Sequence, residues 1–99
     1  MKPGEGIALT ERYQMKNYSR AQVTFVRGEG SWLYDDAGKR YLDFAGGIAV
    51  NALGYGREDL ARAAYEQMLR LPHISNVFAN EPALELARRL RASGDWAAV

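Results

Sequence analysis

The sequence predicts a small α+β unit, an antiparallel three-stranded meander followed by two helices. Two observations predict it. Within residues 22–44, three short runs of β-branched and aromatic residues are separated by glycine-bearing polar turns. Beyond residue 57, apolar residues recur at spacings of three and four in two separate segments. A chain of 99 residues holds one domain at most and buries a modest core.

Taken in order, Met1–Gly6 reads as a mobile leader, because Pro3, Gly4 and Gly6 discourage regular structure. Ile7–Asn17 accommodates a short helix with Thr10 as its N-cap and Glu11 and Arg12 in its first turn. Residues 1–17 thus form a leader and short helix, and residues 18–99 a single incomplete domain. Gln22–Arg27, with Val23, Thr24, Phe25 and Val26, is the first strand, and Gly28-Glu29-Gly30 is read as the turn that stops it. Ser31–Tyr34 is the second strand, with Trp32 and Tyr34 on one face. Asp35-Asp36-Ala37-Gly38-Lys39 is a polar turn, and Arg40–Phe44 is the third strand.

A three-stranded sheet of this size needs a covering layer. The expected cover is a helix over Arg57–Leu71, whose stripe is Leu60, Ala64, Met68 and Leu71, widened by Ala61 and Tyr65. Pro72 ends it, and His73–Ala79 is a loop or extended link. Asn80 as N-cap and Pro82 in the first turn open the second helix, which runs to about Ala92 with Gly94 as its stop. Asp95–Val99 reads as the entry to a further apolar element, so the sequence is expected to stop early within a longer fold.

Composition narrows the function classes. Charges interrupt every apolar run before the ~18 residues of a membrane span. The N-terminus lacks the apolar core of a secretory signal, and there is no cysteine, so a cytoplasmic protein without disulfide or thiolate chemistry is expected. A net charge of +1 with interspersed signs gives no electrostatic footprint for nucleic acid.

Candidate chemical residues are few. His73 is the single histidine, which rules out a histidine dyad, and its place after Pro72 suits a hydrogen-bonded structural role. Asp35 and Asp36 are adjacent in a strand–turn, where their side chains diverge and turn chemistry explains them better than acid–base work. Gly28-Glu29-Gly30 lacks the following helix of a phosphate-cradling loop. Gly46-Gly47 after a strand allows either close approach to a ligand or a plain chain reversal. Asn51 and Asn76 are loop amides that can bond a ligand or cap nearby backbone. The three lysines, Lys2, Lys16 and Lys39, have no apolar setting for Schiff-base chemistry. From the residues alone, this is a small α+β unit with a ligand-facing loop as a candidate and no complete catalytic constellation.

The residues also carry a resemblance. Asn17-Tyr18, Val23, Arg27–Asp35 and Gly38–Phe44 resemble the N-terminal region of class III, pyridoxal-phosphate-dependent aminotransferases. Ala45–Gly54 is most similar to the acetylornithine aminotransferase branch, and His73-Ile74-Ser75-Asn76, Glu81-Pro82, Leu86-Ala87 and Leu90 keep the same pattern. The family usually has a Gly-His-x-His-Pro run where this chain has Gly54-Tyr55-Gly56-Arg57-Glu58, a departure expected to weaken the helix start and remove contacts at that turn. The resemblance implies the N-terminal lobe of a fold type I enzyme, truncated before the large α/β domain that supplies the catalytic lysine and the cofactor site. It implies pyridoxal 5'-phosphate in the intact enzyme, with none bound by this chain alone. It further implies a homodimer, a small amino-acid substrate and no nucleic-acid or membrane partner. Tyr18, Gly47 and Ile48 match substrate-facing positions, and no catalytic residue is carried over. The expected activity of the whole is amino transfer from N-acetylornithine to 2-oxoglutarate in arginine biosynthesis, with these residues inactive by themselves. The alternative is an interaction module, or half of a split enzyme, that pairs with a separate catalytic chain.

Overall fold

The computed structural model describes residues 1–98, in the order α1 (Glu5–Tyr13), β1 (Phe25–Glu29), β2 (Trp32–Asp35), β3 (Arg40–Leu42), α2 (Gly46–Ala49), α3 (Glu58–Arg70) and α4 (Glu81–Ala92). Val99, the end of the expected entry to an apolar element, lies outside the described residues. Two compact units divide the chain, Met1–Ala61 and the remainder from Arg62.

In the first unit the three strands form the expected antiparallel meander in the order β1-β2-β3. Its first strand lies further along the chain than the β-formers indicated. Gly28 pairs with Leu33 and Glu29 with Trp32, so both belong to β1 and only Gly30-Ser31 remains for the turn. Gly30 sits at φ +56°, as a two-residue hairpin loop requires. The pairing shifts between Phe25 and Arg27, leaving Val26 as the extra residue of a β-bulge. The shift sets Phe25 edge-on to Tyr41, with ring centroids 5.3 Å apart. Across β2 and β3, Trp32 pairs with Leu42, Leu33 with Tyr41 and Tyr34 with Arg40. The Arg27 guanidinium lies 3.4 Å from the centre of the Tyr34 ring and that of Arg40 4.1 Å from the Trp32 ring, so cation–π contacts line one face of the sheet.

The Asp35–Lys39 turn is built around the Asp35 carboxylate, the one buried charged or polar residue among the described residues. Its Oδ1 accepts the Ala37 and Lys39 N–H groups at 3.0 and 2.8 Å, and its Oδ2 accepts the Tyr41 hydroxyl at 2.9 Å. Desolvation pushes this carboxyl up, but the donors from Lys39, Tyr41 and Ala37 outweigh it and hold the group below the usual range. Asp36 acts away from the turn, accepting the Gly4 N–H at 2.7 Å and so tying the N-terminus to the sheet.

That tie corrects the reading of the leader. The helix begins at Glu5 and ends at Tyr13, so Thr10 lies inside it and Gly4, at φ +80°, is the N-cap. Glu5 contributes by accepting the Lys2 N–H at 2.8 Å. Gly6 is buried against Thr24, where a Cβ would come within 2.6 Å of the Thr24 hydroxyl. Long-range anchoring thus makes a helix where composition suggested a loose leader.

Of the two later helices, α3 spans nearly the expected residues, with Glu58 and Asp59 in its first turn and Arg70 in its last. α4 has the expected cap: the Asn80 side chain accepts the Ala83 N–H at 3.0 Å. Its C-cap is Ser93, whose N–H bonds Arg89 and Leu90 carbonyls, so Gly94 does not end the helix. Gly94 instead makes room for Trp96, whose indole fills the space a side chain there would take. The expectation that the α3 stripe is covered fails: Leu60, Tyr65, Met68 and Leu71 are all exposed, and no apolar side chain is buried among the described residues. No helix of the described residues is long and apolar enough to cross a membrane.

Candidate functional site

The candidate site is the loop that leaves β3 and returns to the hairpin tip, Asp43 to Tyr55. Asp43 N–H still bonds the Ser31 carbonyl at 2.9 Å, which ends the sheet in an ordered way one residue past β3. Its carboxylate Oδ1 then accepts the N–H groups of Ala45 and Gly46, both at 3.0 Å, turning the chain back on itself.

The chain next makes a turn of the wrong hand. Gly46, Gly47, Ile48 and Ala49 have φ of +54°, +64°, +68° and +60°, so α2 is a single left-handed turn. Its ring is closed by Ile48 and Ala49 N–H to the Ala45 carbonyl and by Val50 and Asn51 N–H to the Gly46 carbonyl, all at 2.8–2.9 Å. Glycine adopts this conformation freely; Ile48 and Ala49 each carry a cost of roughly 1–2 kcal/mol there. Ile48 is β-branched, for which positive φ is a marked outlier. The strained residue is also bare: Ile48 is 90% and the preceding Phe44 93% exposed. Strain held in place beside exposed apolar side chains is a feature of binding loops.

The far end of the loop is fastened to the hairpin. Gly30 and Tyr55 exchange both backbone hydrogen bonds, at 3.0 and 2.8 Å. Close approach is possible because Gly54, at φ +77°, would otherwise place a Cβ 2.7 Å from the Gly30 carbonyl, and because the Tyr55 ring occupies the space where Gly28 lacks a side chain. The Tyr55 hydroxyl then donates to Asp43 Oδ2 at 2.6 Å and accepts the Asn51 amide Nδ2 at 3.0 Å. The hydrogen bond from Tyr55 is the main cause that holds the Asp43 carboxyl below its ordinary value, with the Gly46 amide second. Reciprocally, Asp43 raises the Tyr55 hydroxyl, against a smaller opposing effect of Asn51.

Of the residues marked by the sequence, Gly47 and Ile48 therefore sit together at the centre of this turn. Tyr18 does not join them. It lines an open hollow of about 300 Å³ with Ile7, Thr10, Gln14 and Gln22, under the guanidinium of Arg20 at 5.6 Å from its ring centre. Asn51, weighed as a loop amide, becomes a member of the loop's own hydrogen-bond ring. Asp43 and Tyr55 carried no such weight, and Tyr55 supplies contacts of its own at the Gly54–Glu58 turn. The same turn gains a two-pronged pair from Arg57 to Asp59, at 2.9 and 2.6 Å. The available signal was an aspartate placed two and three residues ahead of Ala45 and Gly46, and an aromatic residue between two glycines.

The titratable side chains of this loop, Asp43 and Tyr55, are engaged in its own hydrogen bonds. Among the described residues no cluster of three or more metal-binding side chains occurs. All three lysines are exposed, and Gly28 and Glu29 lie within the hairpin, opposite Leu33 and Trp32.

The family model Aminotransferase class-III matches residues 13–96. A Pseudomonas aeruginosa succinylornithine transaminase/acetylornithine aminotransferase is 52% identical over 80 residues, covering 81% of this chain and 20% of that protein. A Streptomyces coelicolor acetylornithine aminotransferase is 51% identical over 85 residues, covering 83% of this chain and 21% of its own length. The crystal structure of acetylornithine aminotransferase from Elizabethkingia anophelis superposes with a TM-score of 0.89 at 27% identity, over 99% of this chain and 26% of the other. The chain thus spans about a fifth of the length of the curated relatives it matches.

Proposed function

The chain belongs to the class-III aminotransferases, and from that premise we propose that it forms the N-terminal part of an acetylornithine aminotransferase-type enzyme. The observation that carries the reading is identity of about one half, to relatives of that name, across four-fifths of this chain. The whole enzyme is proposed to be a cytoplasmic homodimer that moves an amino group from N-acetylornithine, or a close ω-amine, to 2-oxoglutarate.

Family membership implies pyridoxal phosphate in the intact enzyme. The residues present here do not compose a seat for it: the lysines lie on the surface, and Gly28 and Gly30 belong to a strand and its hairpin turn instead of opening a helix. This chain's part is to bind and orient. The left-handed turn presents Ile48 outward as an apolar wall, and Tyr18 supplies an aromatic face with a polar tip. Both roles shape the pocket without covalent chemistry.

A chimera tests the reading, with residues 13–96 grafted onto the remaining four-fifths of the Pseudomonas aeruginosa relative. Amino transfer from N-acetylornithine to 2-oxoglutarate is the expected result. A folded chimera that binds pyridoxal phosphate, yet accepts only unacylated amines, would exclude the acetylornithine assignment. In that chimera Tyr18→Ala is expected to raise KM more than it lowers kcat; unchanged KM and substrate preference remove Tyr18 from the pocket.

A second reading is favoured by the absence of any buried apolar side chain among the described residues: a chain that folds fully against a separate catalytic polypeptide. Transamination on mixing the chain with that polypeptide, and none from the chimera, would select it.

A further inference from the structure

We propose that Tyr55 is a positioning residue whose hydroxyl latches the left-handed Gly46–Ala49 turn through Asp43 and Asn51. The inference rests on the reading of that turn as a substrate-facing wall.

The geometry is a closed ring. Asp43 grips the start of the turn through Oδ1, which takes the Ala45 and Gly46 amides. Its other oxygen takes the Tyr55 hydroxyl, which also receives the Asn51 side-chain amide. Asn51 closes the circuit, because its own N–H bonds the Gly46 carbonyl at 2.9 Å. Gly47 leaves the space for it: a Cβ there would stand 3.0 Å from Asn51 Nδ2 and 3.1 Å from Val50 Cγ2. Every member of the ring thus constrains the one turn whose backbone is unfavourable for two of its residues. A fixed carboxylate plane at Asp43 thus opposes relaxation of Ile48 and Ala49 to negative φ.

The hydroxyl is separable from the rest of Tyr55. The ring fills the gap at Gly28 and the backbone pairs with Gly30, and both survive in Tyr55→Phe. The variant therefore removes one bond to a charged acceptor and one from Asn51, and leaves the hairpin attachment intact. Histidine has a donor N–H and an aromatic ring, so Tyr55→His restores a bond to Asp43 if its reach allows.

The test is amide hydrogen exchange followed by NMR on the 99-residue chain. In Tyr55→Phe the amides of Ala45, Gly46 and Ile48–Asn51 are expected to exchange about tenfold faster, while those of Trp32–Tyr34 keep their rates. Tyr55→His is expected to recover at least part of that protection. Unchanged exchange in the loop of Tyr55→Phe would overturn the latch. Should Tyr55→Phe loosen the sheet as well, Asn51→Ala, which leaves Tyr55 in place, decides: faster exchange confined to the loop supports the latch, and none refutes it. The functional premise is separated by kinetics in the chimera. A rise in KM with kcat nearly unchanged in Tyr55→Phe joins latch to pocket; faster exchange with both constants unmoved keeps the latch and discards the wall.

Discussion

The two units of this chain are held by different kinds of interaction. In the first, bonds reach far along the sequence: Gly4 N–H to Asp36, Tyr55 to Asp43, and Gly30 to Tyr55. In the second, nearly all are local. Asn80 caps its own helix, Glu85 pairs with Arg88 and Arg89 one turn on, and Gln67 bonds the Leu71 carbonyl. Neither buries an apolar side chain among the described residues. What the contrast teaches is that specification and burial are separable. Polar and glycine contacts fix the tertiary path of the first unit, whereas the helical unit has secondary structure with exposed faces.

The sharpest way to break the contrast is Gly54→Ala. The added methyl meets the Gly30 carbonyl at 2.7 Å and the backbone is at φ +77°, so a loss of about 3 kcal/mol is expected. Denaturant unfolding monitored at the tryptophans should show Trp32 losing its transition while helical circular dichroism from the second unit persists. Next in size is Asn80→Ala, with an expected loss of about 1 kcal/mol confined to α4, read from helical signal and from exchange at Ala83 and Leu84. Ile48→Gly should work in the opposite direction, stabilising the first unit by about 0.5 kcal/mol once relief of the left-handed strain is set against the greater freedom of an unfolded glycine. A loss of stability would show that Ile48 makes contacts the strain argument omits.

The smallest expected effect is in acid. Asp43 and Asp35 titrate below their ordinary value in the folded chain, so their contribution is complete above about pH 4 and disappears as pH falls through the depressed values. Glu85 behaves the same way in the other unit, where Arg88 first and Arg89 second lower its carboxyl to about 2. Its local ion pairs are exposed, and exposed pairs are weak. NMR titration of the carboxyl groups should therefore find loop exchange rising with protonation of Asp43, and little change in α4 helicity as Glu85 titrates.

Local signals were legible in the sequence. Strand composition located the meander, three- and four-residue spacing located α3 and α4, and the Asn80–Pro82 pattern gave the cap seen at 3.0 Å. The chain reversal at Gly46-Gly47 was legible because two glycines follow a strand, whereas Ile48 was marked by the family resemblance alone. Misreadings have one physical origin, namely contacts between residues distant in sequence. Gly28 and Glu29 looked like a turn but are recruited into β1 by Leu33 and Trp32. Gly4 and Gly6 looked mobile but are held by Asp36 and Thr24. The contacts of Tyr55 were not visible in the sequence because its partner, Asp43, lies twelve residues earlier. The handedness of α2 was invisible, since neither isoleucine nor alanine announces positive φ.

That handedness has a stereochemical corollary. The backbone at Ala49 has the geometry a D-residue prefers, and the side chain there is exposed. D-alanine at this position keeps every atom of the formula while converting a disfavoured conformation into the preferred one. A chain of 99 residues is short enough to be assembled by chemical ligation. Ala49's share of the strain in this loop is thus a matter of chirality at one methyl group, removable by reflection without altering composition, charge or size.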